Sequence, residues 1–370
     1  MILTAKQLVD VVAMSGAGSV AIVGTAKNVG KTVTMNYLIS ELSSRGVSVG
    51  LVSSGRDGEA IDAFTGEPKP SVVVPSGAWV ATAEGVLGES ATCLEIADVL
   101  DWPGLFGRLV VGKTVDPAAL ELVGPRSARE LSALVSKLLA FGAGIVLVDG
   151  ALDRMAAASP RVTDATILAT GAAVDSNLEA MAQQLGFLVW LLSRPEHDSK
   201  DVACLAREAM SKDAVCFIER CSEQRRGALG PPAAGLCLRP TCYPTVLGFE
   251  DEILEQTGDA VAVTVPGAVN QGFLSKARSW VKDPEFAVIA RDPVSIFAGK
   301  NAGVNLYVTQ ELNLLAVTVN PVSNYGISYD PAEMVCAIGT ALNDLGYPLP
   351  VFDVVSGEKS AKGVSEMAVG

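Results

Sequence analysis

A glycine-rich segment between an apolar run and a helix-like pattern constrains the fold more than any other feature of this chain. The segment Gly24–Thr32 reads GTAKNVGKT and follows the apolar run Ser19–Val23. The pattern predicts a first strand at Val20–Gly24 and a helix at Lys31–Ser44, with apolar helical spacing from Val33 onward. A strand, a glycine-rich loop and a helix in this order turn backbone N–H groups and a helix N-terminus toward one side of the loop. The order therefore predicts an α/β fold with a phosphate-sized cradle after its first strand.

The residue types within this segment predict the chemistry of the cradle. Lys31 can reach the terminal phosphates of a nucleotide, and the Thr32 hydroxyl can ligate Mg²⁺. The ordinary spacing has its first glycine where Thr25 stands, so this loop is a variant with the glycine one residue earlier. The alternative is a tight glycine turn with an incidental Gly-Lys-Thr, which the flanking strand and helix disfavour. The predicted nucleotide-binding residues here are Gly24, Thr25, Ala26, Lys27, Asn28, Val29, Gly30, Lys31, Thr32 and Val33.

Composition narrows the class of protein and its partners. A chain of 370 residues that is 49% apolar and 19% charged can bury the cores of two globular domains. Its net charge of −13 disfavours nucleic acid as a partner, because a polyanion would be repelled. The sequence shows no signal peptide and no apolar run long enough to span a bilayer, and its seven cysteines are expected to be reduced thiols. We therefore expect a cytoplasmic protein.

The order of strand-like and helix-like runs predicts the domain organisation. Residues 1–221 alternate between the two, which favours a mostly parallel sheet with helices on both faces. An elaborated insertion is expected at about 67–114, where short strand-like runs cluster. A polar, arginine-rich and proline-containing stretch at 222–232 predicts a boundary, so residues 233–370 are expected to form a second, smaller α/β domain.

Two capping boxes mark predicted helix starts. Ser127 precedes Glu130 by three residues, and Ser176 precedes Glu179 by the same spacing. In such a box the serine side chain accepts from the amide three residues on, and the glutamate reaches back to the amide of the serine. We therefore expect helices after Ser127 and Ser176.

Two segments in the second half resemble each other. Residues 261–272 and 315–326 match at six of twelve positions, and each reads as a strand followed by a loop. Either a duplicated strand-loop-helix unit or chance convergence of two similar sequences explains the match. Asn270 and Asn324 occupy equivalent places, where an asparagine can contact a ligand or act as a turn residue or helix cap.

Acidic residues at two further strand ends complete a predicted Mg·nucleotide site. Asp149 ends the apolar run Ile145–Val148, which would fix its carboxylate beside the metal; a plain Asp-Gly turn is the alternative. The loop after the strand-like run Val47–Ser53 carries Arg56, Asp57 and Glu59. Since ligands lie at the carboxyl ends of parallel strands, this loop should face the cradle. We predict Lys31, Asp57 and Glu59 as catalytic residues, Arg56 as a phosphate contact, Thr32, Asp149 and Asp57 as metal ligands, and, with lower rank, Asp153 and Arg154.

The cysteines and the one histidine point to other roles less clearly. Four residues separate Cys216 from Cys221, and four separate Cys237 from Cys242. Zinc sites usually have closer pairs, so buried free thiols are favoured over a metal site. His197 lies in a polar stretch and is interpreted as a surface residue, which disfavours chemistry that needs a histidine base.

The loop also resembles a known group of proteins. GTAKNVGKT is similar to the P-loops of the dethiobiotin synthetase and cobyrinate amidotransferase-like group of deviant P-loop ATPases. The chain departs from dethiobiotin synthetases at Val148–Arg154, so the substrate residues of that enzyme are not carried over. Three motifs together, at Ala26–Thr34, Ser54–Glu59 and Val148–Ala151, resemble the P-loop subunits of lysine 5,6-aminomutase reactivases. That resemblance implies ATP-driven restoration of an adenosylcobalamin-dependent mutase, together with a second ATPase subunit, and it covers only the first half of the chain.

The combined features lead to one expected function and two alternatives. The first is a Mg²⁺-dependent ATPase that acts on a protein partner. The second is an ATP-dependent ligase or kinase for a small carboxylate or amine, and the third is a nucleotide-binding regulator without catalysis. ATP is favoured because no Asn-Lys-x-Asp guanine motif is evident, although GTP stays open. Neither nucleic acid nor membrane is an expected partner, and a homodimer is compatible with the sequence.

Overall fold

The computed structural model divides the chain into two compact units. The first contains residues 1–189 and 313–370, and the second contains residues 190–312. The structure describes residues 5–57, 71–102, 106–150, 152–221, 235–299, 303–324 and 326–355.

The first unit is built on a large sheet with helices packed against it. Its main strands within the described residues are Ser19–Gly24 (β1), Val49–Ser53 (β2), Trp79–Ala83 (β5), Leu94–Leu100 (β6), Leu109–Thr114 (β7), Ile145–Gly150 (β10), Ala165–Gly171 (β11), Leu314–Asn320 (β19) and Val351–Asp353 (β20). Short ribbons are formed by Arg56–Asp57 (β3), Val72–Val74 (β4), Ala118–Leu120 (β8) and Leu122–Val123 (β9). The helices are Ala5–Met14 (α1), Lys31–Ser44 (α2), Ala128–Ala140 (α3), Leu178–Leu192 (α4) and Pro331–Asp344 (α8).

The large sheet is mostly parallel. Its strand order is β20-β19-β11-β1-β10-β2-β5-β7-β6, and within the described residues its two antiparallel pairs are β5–β7 and β7–β6. Strands β1, β10 and β11 are buried along their whole length, as aliphatic runs covered on both faces of a parallel sheet are. The prediction of an α/β fold with a mostly parallel sheet is confirmed.

Helices cover both faces of this sheet. Residues of α1 and α2 share a core with Val20, Ile22 and Leu147, which alternate onto one face. Leu138 of α3 instead lies against Gly50, where an added Cβ would come 3.4 Å from the Cβ of Leu138. Neighbouring residues of a strand point to opposite faces, so α3 covers the other side.

The segment expected as an insertion extends the sheet. The structure has strands at Val72–Val74, Trp79–Ala83 and Leu109–Thr114, close to the predicted short runs. Strand β5 continues the parallel order beside β2, and β7 and β6 then add an antiparallel edge. Residues 67–70 of the predicted insertion lie outside the described part of the chain.

One of the two predicted helix caps is confirmed and the other is wrong. Ser127 accepts from the Glu130 amide, and Glu130 reaches back to Ser127, so the first box is present. At the second helix the cap is Asn177, whose Oδ1 accepts from the Ala180 amide at 3.0 Å. Asparagine caps as well as serine does, and Asp175 secures it by accepting from the Asn177 amide.

The second unit has its own five-stranded sheet. Its described elements are the strands Cys216–Arg220 (β12), Leu236–Pro240 (β13), Ala260–Val265 (β14), Val269–Asn270 (β15), Ala287–Ala290 (β16), Ile296–Phe297 (β17) and Asn305–Val308 (β18), and the helices Lys200–Ala209 (α5), Glu250–Leu254 (α6) and Gln271–Trp280 (α7). The sheet order is β13-β12-β14-β16-β18, with β14, β16 and β18 parallel. A separate core that includes Phe217 and Phe273 fills this unit.

The division of the chain differs from the predicted boundary at 222–232. Strands β12 and β13, on either side of that stretch, pair with each other in the second sheet. Strands β19 and β20, expected in the second domain, instead join the first sheet beside β11. The polar stretch thus connects two paired strands, because turn-rich composition marks any long connection as well as a domain boundary.

The two similar segments lie in different sheets. Residues 261–272 contribute β14 and the start of α7, where Asn270 is the N-cap and accepts from the Phe273 amide at 2.7 Å. Residues 315–326 contribute β19 and a turn that contains Asn324, and the next helix begins only at Pro331. Only the first segment therefore continues directly into a helix.

Gly124 lets two backbone segments approach each other beside β2. A Cβ on Gly124 would lie 1.5 Å from the carbonyl oxygen of Ser53, and the Gly124 amide donates to the Gly55 carbonyl at 2.8 Å. We expect Gly124→Ala to lower the free energy of unfolding by about 1–3 kcal/mol, because the main chain must shift to admit the methyl group.

Chemical denaturation measures this loss, with Gly339→Ala as the matched control. Gly339 lies inside α8 with open space around its Cα, so an alanine there should stabilise the protein by about 0.5–1 kcal/mol. Equal stability of the Gly124→Ala variant and the wild type would contradict the close approach.

Candidate functional site

The loop between β1 and α2 forms a concave turn of backbone. Strand β1 ends at Gly24 and α2 begins at Lys31, as the sequence predicts. Asn28 and Gly30 both have left-handed backbones, with φ of 60° and 87°. Left-handed residues among right-handed ones bring successive N–H groups together into a nest that favours an anion. The loop thus contains two left-handed residues separated by Val29, a feature that such nests share.

The first turn of α2 is not capped by a side chain. Its N-cap is Gly30, and no side chain caps it with a hydrogen bond. The first amides of any helix have no partner within the helix, and they carry the positive end of its dipole. A negatively charged group is therefore the fitting partner for this end of α2.

Lys31 and Asp149 form a buried ion pair directly beside this turn. The Lys31 Nζ lies 2.7 Å from the Asp149 Oδ1, and the side chains of Lys31 and Asp149 are 16% and 0% exposed. Asp149 reaches this place because β10 pairs with β1 in a register that sets Asp149 opposite Ile22. The structure therefore brings together the lysine and the aspartate that the sequence predicts for phosphate and metal.

The residue next to Lys31 carries a hydroxyl group. Thr32 lies in the first turn of α2 and is half-buried. A hydroxyl and a carboxylate oxygen, with phosphate and water supplying the rest, are the ligands that Mg²⁺ takes in proteins. The donor set of Thr32 and Asp149 fits that cation. Among the described residues, no group of three or more His, Cys, Asp or Glu side chains is arranged to hold a metal alone.

The loop after β2 begins beside Asp149. The Ser54 amide donates to the Asp149 carbonyl at 2.8 Å, and the Gly55 amide donates to the Ser53 Oγ at 3.1 Å. Arg56 and Asp57 then form the short strand β3, which pairs with β9. Glu59 lies outside the described residues. The structure thus places the start of this loop at the predicted corner, and the catalytic roles of Asp57 and Glu59 stay predictions.

Three polar contacts tie the loop and the first turns of α2 to β11 and β19, and the sequence analysis missed the residues on the strand side, Thr170, Thr318 and Asn320. The Thr25 Oγ1 donates to the Thr170 Oγ1 at 3.0 Å, and the hydroxyls of Thr34 and Thr318 lie 2.8 Å apart in the core. The Nδ2 of Asn320 donates to the carbonyl of Asn28 at 3.3 Å.

Asn320 could have been found by one signal in the sequence. It ends the apolar run that becomes β19, just as Asp149 ends the run that becomes β10. The predicted boundary at 222–232 assigned Asn320 to the second domain, so the sequence did not predict that it lies beside the loop.

The remaining loop residues differ in their surroundings. Val29 is buried, and its Cγ2 would lie 3.0 Å from a Cβ on Gly24. Val33 packs against the core, whereas Lys27 is exposed. Val29 and Val33 therefore pack the loop and the start of α2 against the core. Asp153 and Arg154 lie in a short 3₁₀ helix, Leu152–Ala158, after β10.

The other candidates lie in the second unit. Cys216 is buried, Cys221 and Cys237 are half-buried, and Cys242 is exposed, so the expectation of buried thiols is right only for Cys216. Burial raises the pKa of the Cys216 thiol above its usual value, which makes it a poor nucleophile. His197 is half-exposed, with its ring 4.6 Å from that of Tyr307 and its Nδ1 accepting from the Ser199 amide.

Comparison with known proteins gives no family for this chain. No protein-family model matches the chain, and no curated protein shows significant similarity to it. Within the described residues, every helix is too short or too polar to cross a membrane.

The ion pair predicts a large effect of Lys31 on stability. In a Lys31→Met variant the Asp149 carboxylate stays buried without this cation, which costs about 3–5 kcal/mol for a fully buried pair. The partial exposure of Lys31 favours the lower end of that range. Adding Asp149→Asn removes the buried charge, so the double variant should regain most of the lost free energy of unfolding.

Chemical denaturation of the four proteins in this cycle measures the coupling between the two side chains. Arg45→Met is the control, because Arg45 pairs with Asp10 at the surface and an exposed pair contributes little. Additive effects of the Lys31 and Asp149 changes would contradict the pairing.

Proposed function

We propose that this protein binds a magnesium–nucleoside triphosphate complex, with ATP as the preferred nucleotide, and hydrolyses its terminal phosphoanhydride. The observation that carries the proposal is the Lys31–Asp149 ion pair at a helix N-terminus whose N-cap, Gly30, makes no side-chain hydrogen bond. A cation for phosphate and an anion for Mg²⁺ are thereby held at one point. The strand order supports the proposal, because the connections that leave β1 and β11 diverge there, and ligands bind where strand connections diverge.

Each residue of the site has a proposed task. The amides of the loop and of the first turn of α2 bind the phosphate oxygens, and the Lys31 ammonium contacts the terminal phosphates. Thr32 and Asp149 hold Mg²⁺, which neutralises charge on the phosphates when it is bound. Water attacks the terminal phosphorus, the bond to the bridging oxygen breaks, and the nucleoside diphosphate leaves with phosphate.

The loop after β2 is proposed to act on the attacking water. We assign Asp57 and Glu59 to its orientation, with Asp57 as a further candidate for the metal, and Arg56 to the charge that develops on the phosphate. Two hydrogen bonds support this assignment, because they hold the start of the loop beside Asp149. The Ser54 amide donates to the Asp149 carbonyl in β10, and the Gly55 amide donates to the Ser53 Oγ in β2.

We further propose that hydrolysis drives a change in a protein partner. The basis is the resemblance of three motifs to P-loop subunits of lysine 5,6-aminomutase reactivases, which implies an adenosylcobalamin-dependent mutase and a second ATPase subunit. A cytoplasmic location fits such a partner.

Replacement of Lys31 tests the binding site directly. By isothermal titration calorimetry with Mg·ATP, Lys31→Ala should weaken binding roughly tenfold to a hundredfold, because a charge-assisted contact to phosphate is lost. Lys212→Ala, an exposed lysine in the second unit, is the matched control and should bind as the wild type does. Equal affinity of the Lys31→Ala and wild-type proteins would refute the proposed site.

Phosphate release separates the three functions expected from the sequence. Turnover of ATP without any added small molecule supports the proposed ATPase. Turnover that appears only with a small carboxylate or amine would favour a ligase or kinase, and binding without turnover under either condition would favour a regulator.

Asp149 is expected to couple nucleotide affinity to magnesium. When phosphate attracts Lys31 away, Asp149 needs another cation, and Mg²⁺ supplies it. In the wild type, the dissociation constant of ATP should therefore be much larger in EDTA than in Mg²⁺. The constant in EDTA divided by the constant in Mg²⁺ should fall at least about tenfold in Asp149→Asn. Calorimetry in both buffers measures this ratio, and Asp10→Asn, an exposed carboxylate, is the control. An unchanged ratio would show that Asp149 does not serve the metal.

A further inference from the structure

We infer that Asn320, far away in the sequence, is a positioning residue that sets the shape of the phosphate-binding loop. The inference rests on the proposed function and names a determinant of phosphate binding in that same site. Asn320 is the last residue of β19, and its Nδ2 donates to the Asn28 carbonyl at 3.3 Å. Asn28 is the first of the two left-handed residues in the loop, with φ of 60°.

The hydrogen bond controls the direction of an amide in the loop. The Asn28–Val29 peptide is planar and trans, so its carbonyl and its N–H point in opposite directions. When Asn320 holds the carbonyl, it therefore also fixes the direction of the Val29 N–H. Asparagine adopts a left-handed backbone more readily than most residues, but it is not confined to one, so contacts with its surroundings select the conformation. The hydrogen bond from Asn320 is one such contact at Asn28.

Close packing makes the same contact rigid. A Cβ on Gly30 would lie 3.0 Å from the Cβ of Asn320. A Cβ on Gly171 would lie 2.8 Å from the Asn320 carbonyl oxygen and 3.3 Å from the Cα of Val29. The Asn320 carbonyl also accepts from the Ala172 amide at 2.9 Å, which ties β19 to the end of β11. Asn320 therefore contacts the loop through its side chain and the end of β11 through its backbone.

Both ends of the Asn320 amide bind the protein itself. While Nδ2 donates to Asn28, the Oδ1 accepts from the Val322 amide at 3.2 Å. These two hydrogen bonds fix the rotamer of the side chain and occupy the groups that a base would need. The contacts thus favour a role in positioning the loop over recognition of a nucleotide base.

This assignment predicts equal losses for ligands with and without a base. Asn320→Ala removes the donor and relaxes the loop, so it should weaken binding of both Mg·ATP and magnesium tripolyphosphate about five- to twentyfold. Asn320→Asp keeps the size of the side chain but turns a carboxylate toward the Asn28 carbonyl, and its loss should be larger for both ligands. In steady-state hydrolysis of ATP, we expect KM to rise while kcat stays within about threefold, because misplaced amides weaken ground-state binding.

The experiment is calorimetry of wild type, Asn320→Ala and Asn320→Asp with both ligands, with thermal melts of each protein. Asn313→Ala is the matched control, because Asn313 is exposed just before the opposite end of β19. Parallel losses at a melting temperature within a few degrees of the wild type support the inference. Loss for ATP alone would make Asn320 a base contact, and a loss for neither ligand would also overturn the inference.

The same data separate this inference from the function on which it rests. If the wild type binds neither ligand, the proposed function and the role of Asn320 fail together. If the wild type binds both and the Asn320 variants match it, only the role of Asn320 fails. Should Asn320→Ala unfold, the isosteric Asn320→Asp variant decides, since its larger loss depends on the lost donor and the added charge.

Discussion

The ion pair between Lys31 and Asp149 is the interaction on which the site depends. A buried carboxylate is costly unless a cation compensates for it, and this requirement holds both side chains in one geometry. The pair exists only because β10 lies beside β1 in a register that sets Asp149 opposite Ile22. A shift of one residue would send the carboxylate to the other face of the sheet. The order and register of the strands therefore determine whether Lys31 and Asp149 can meet.

Glycines let the carboxyl ends of the neighbouring strands approach the loop between β1 and α2. Added Cβ atoms on Gly24, Gly30, Gly150 and Gly171 would come within about 3 Å of neighbouring side chains or backbone. Such contacts are tighter than ordinary van der Waals packing, so only glycine allows these segments to approach so closely. The strands that lie on either side of β1 can therefore each deliver one polar group to the loop.

Local features of the site could be predicted from the sequence. The start of α2 at Lys31, the capping box at Ser127 and the placement of Asp149 at a strand end each depend on a few neighbouring residues. The cap at Asn177 was misassigned to Ser176 because adjacent residues can both cap, and the choice depends on the contact with Asp175. Short-range physics leaves only such one-residue ambiguities.

Long-range pairing could not be predicted in the same way. Strands β19 and β20 follow the whole second unit in the sequence and yet join the first sheet. The residues of these strands do not indicate which of the two sheets they join. Asn320 was missed for this reason, since its importance depends on a partner 292 residues away in the sequence. A mostly apolar strand such as β19 suits any parallel sheet, and its neighbours are selected by the fold as a whole.

A crystal structure of the protein with Mg²⁺ and a non-hydrolysable ATP analogue tests the central claim most directly. The account predicts the β- and γ-phosphates against the amides of residues 26–32, with the Lys31 Nζ moved from Asp149 to phosphate. Mg²⁺ should lie between Thr32, Asp149 and the phosphate oxygens. A nucleotide bound elsewhere, or an unbroken Lys31–Asp149 pair in the presence of bound nucleotide, would contradict it.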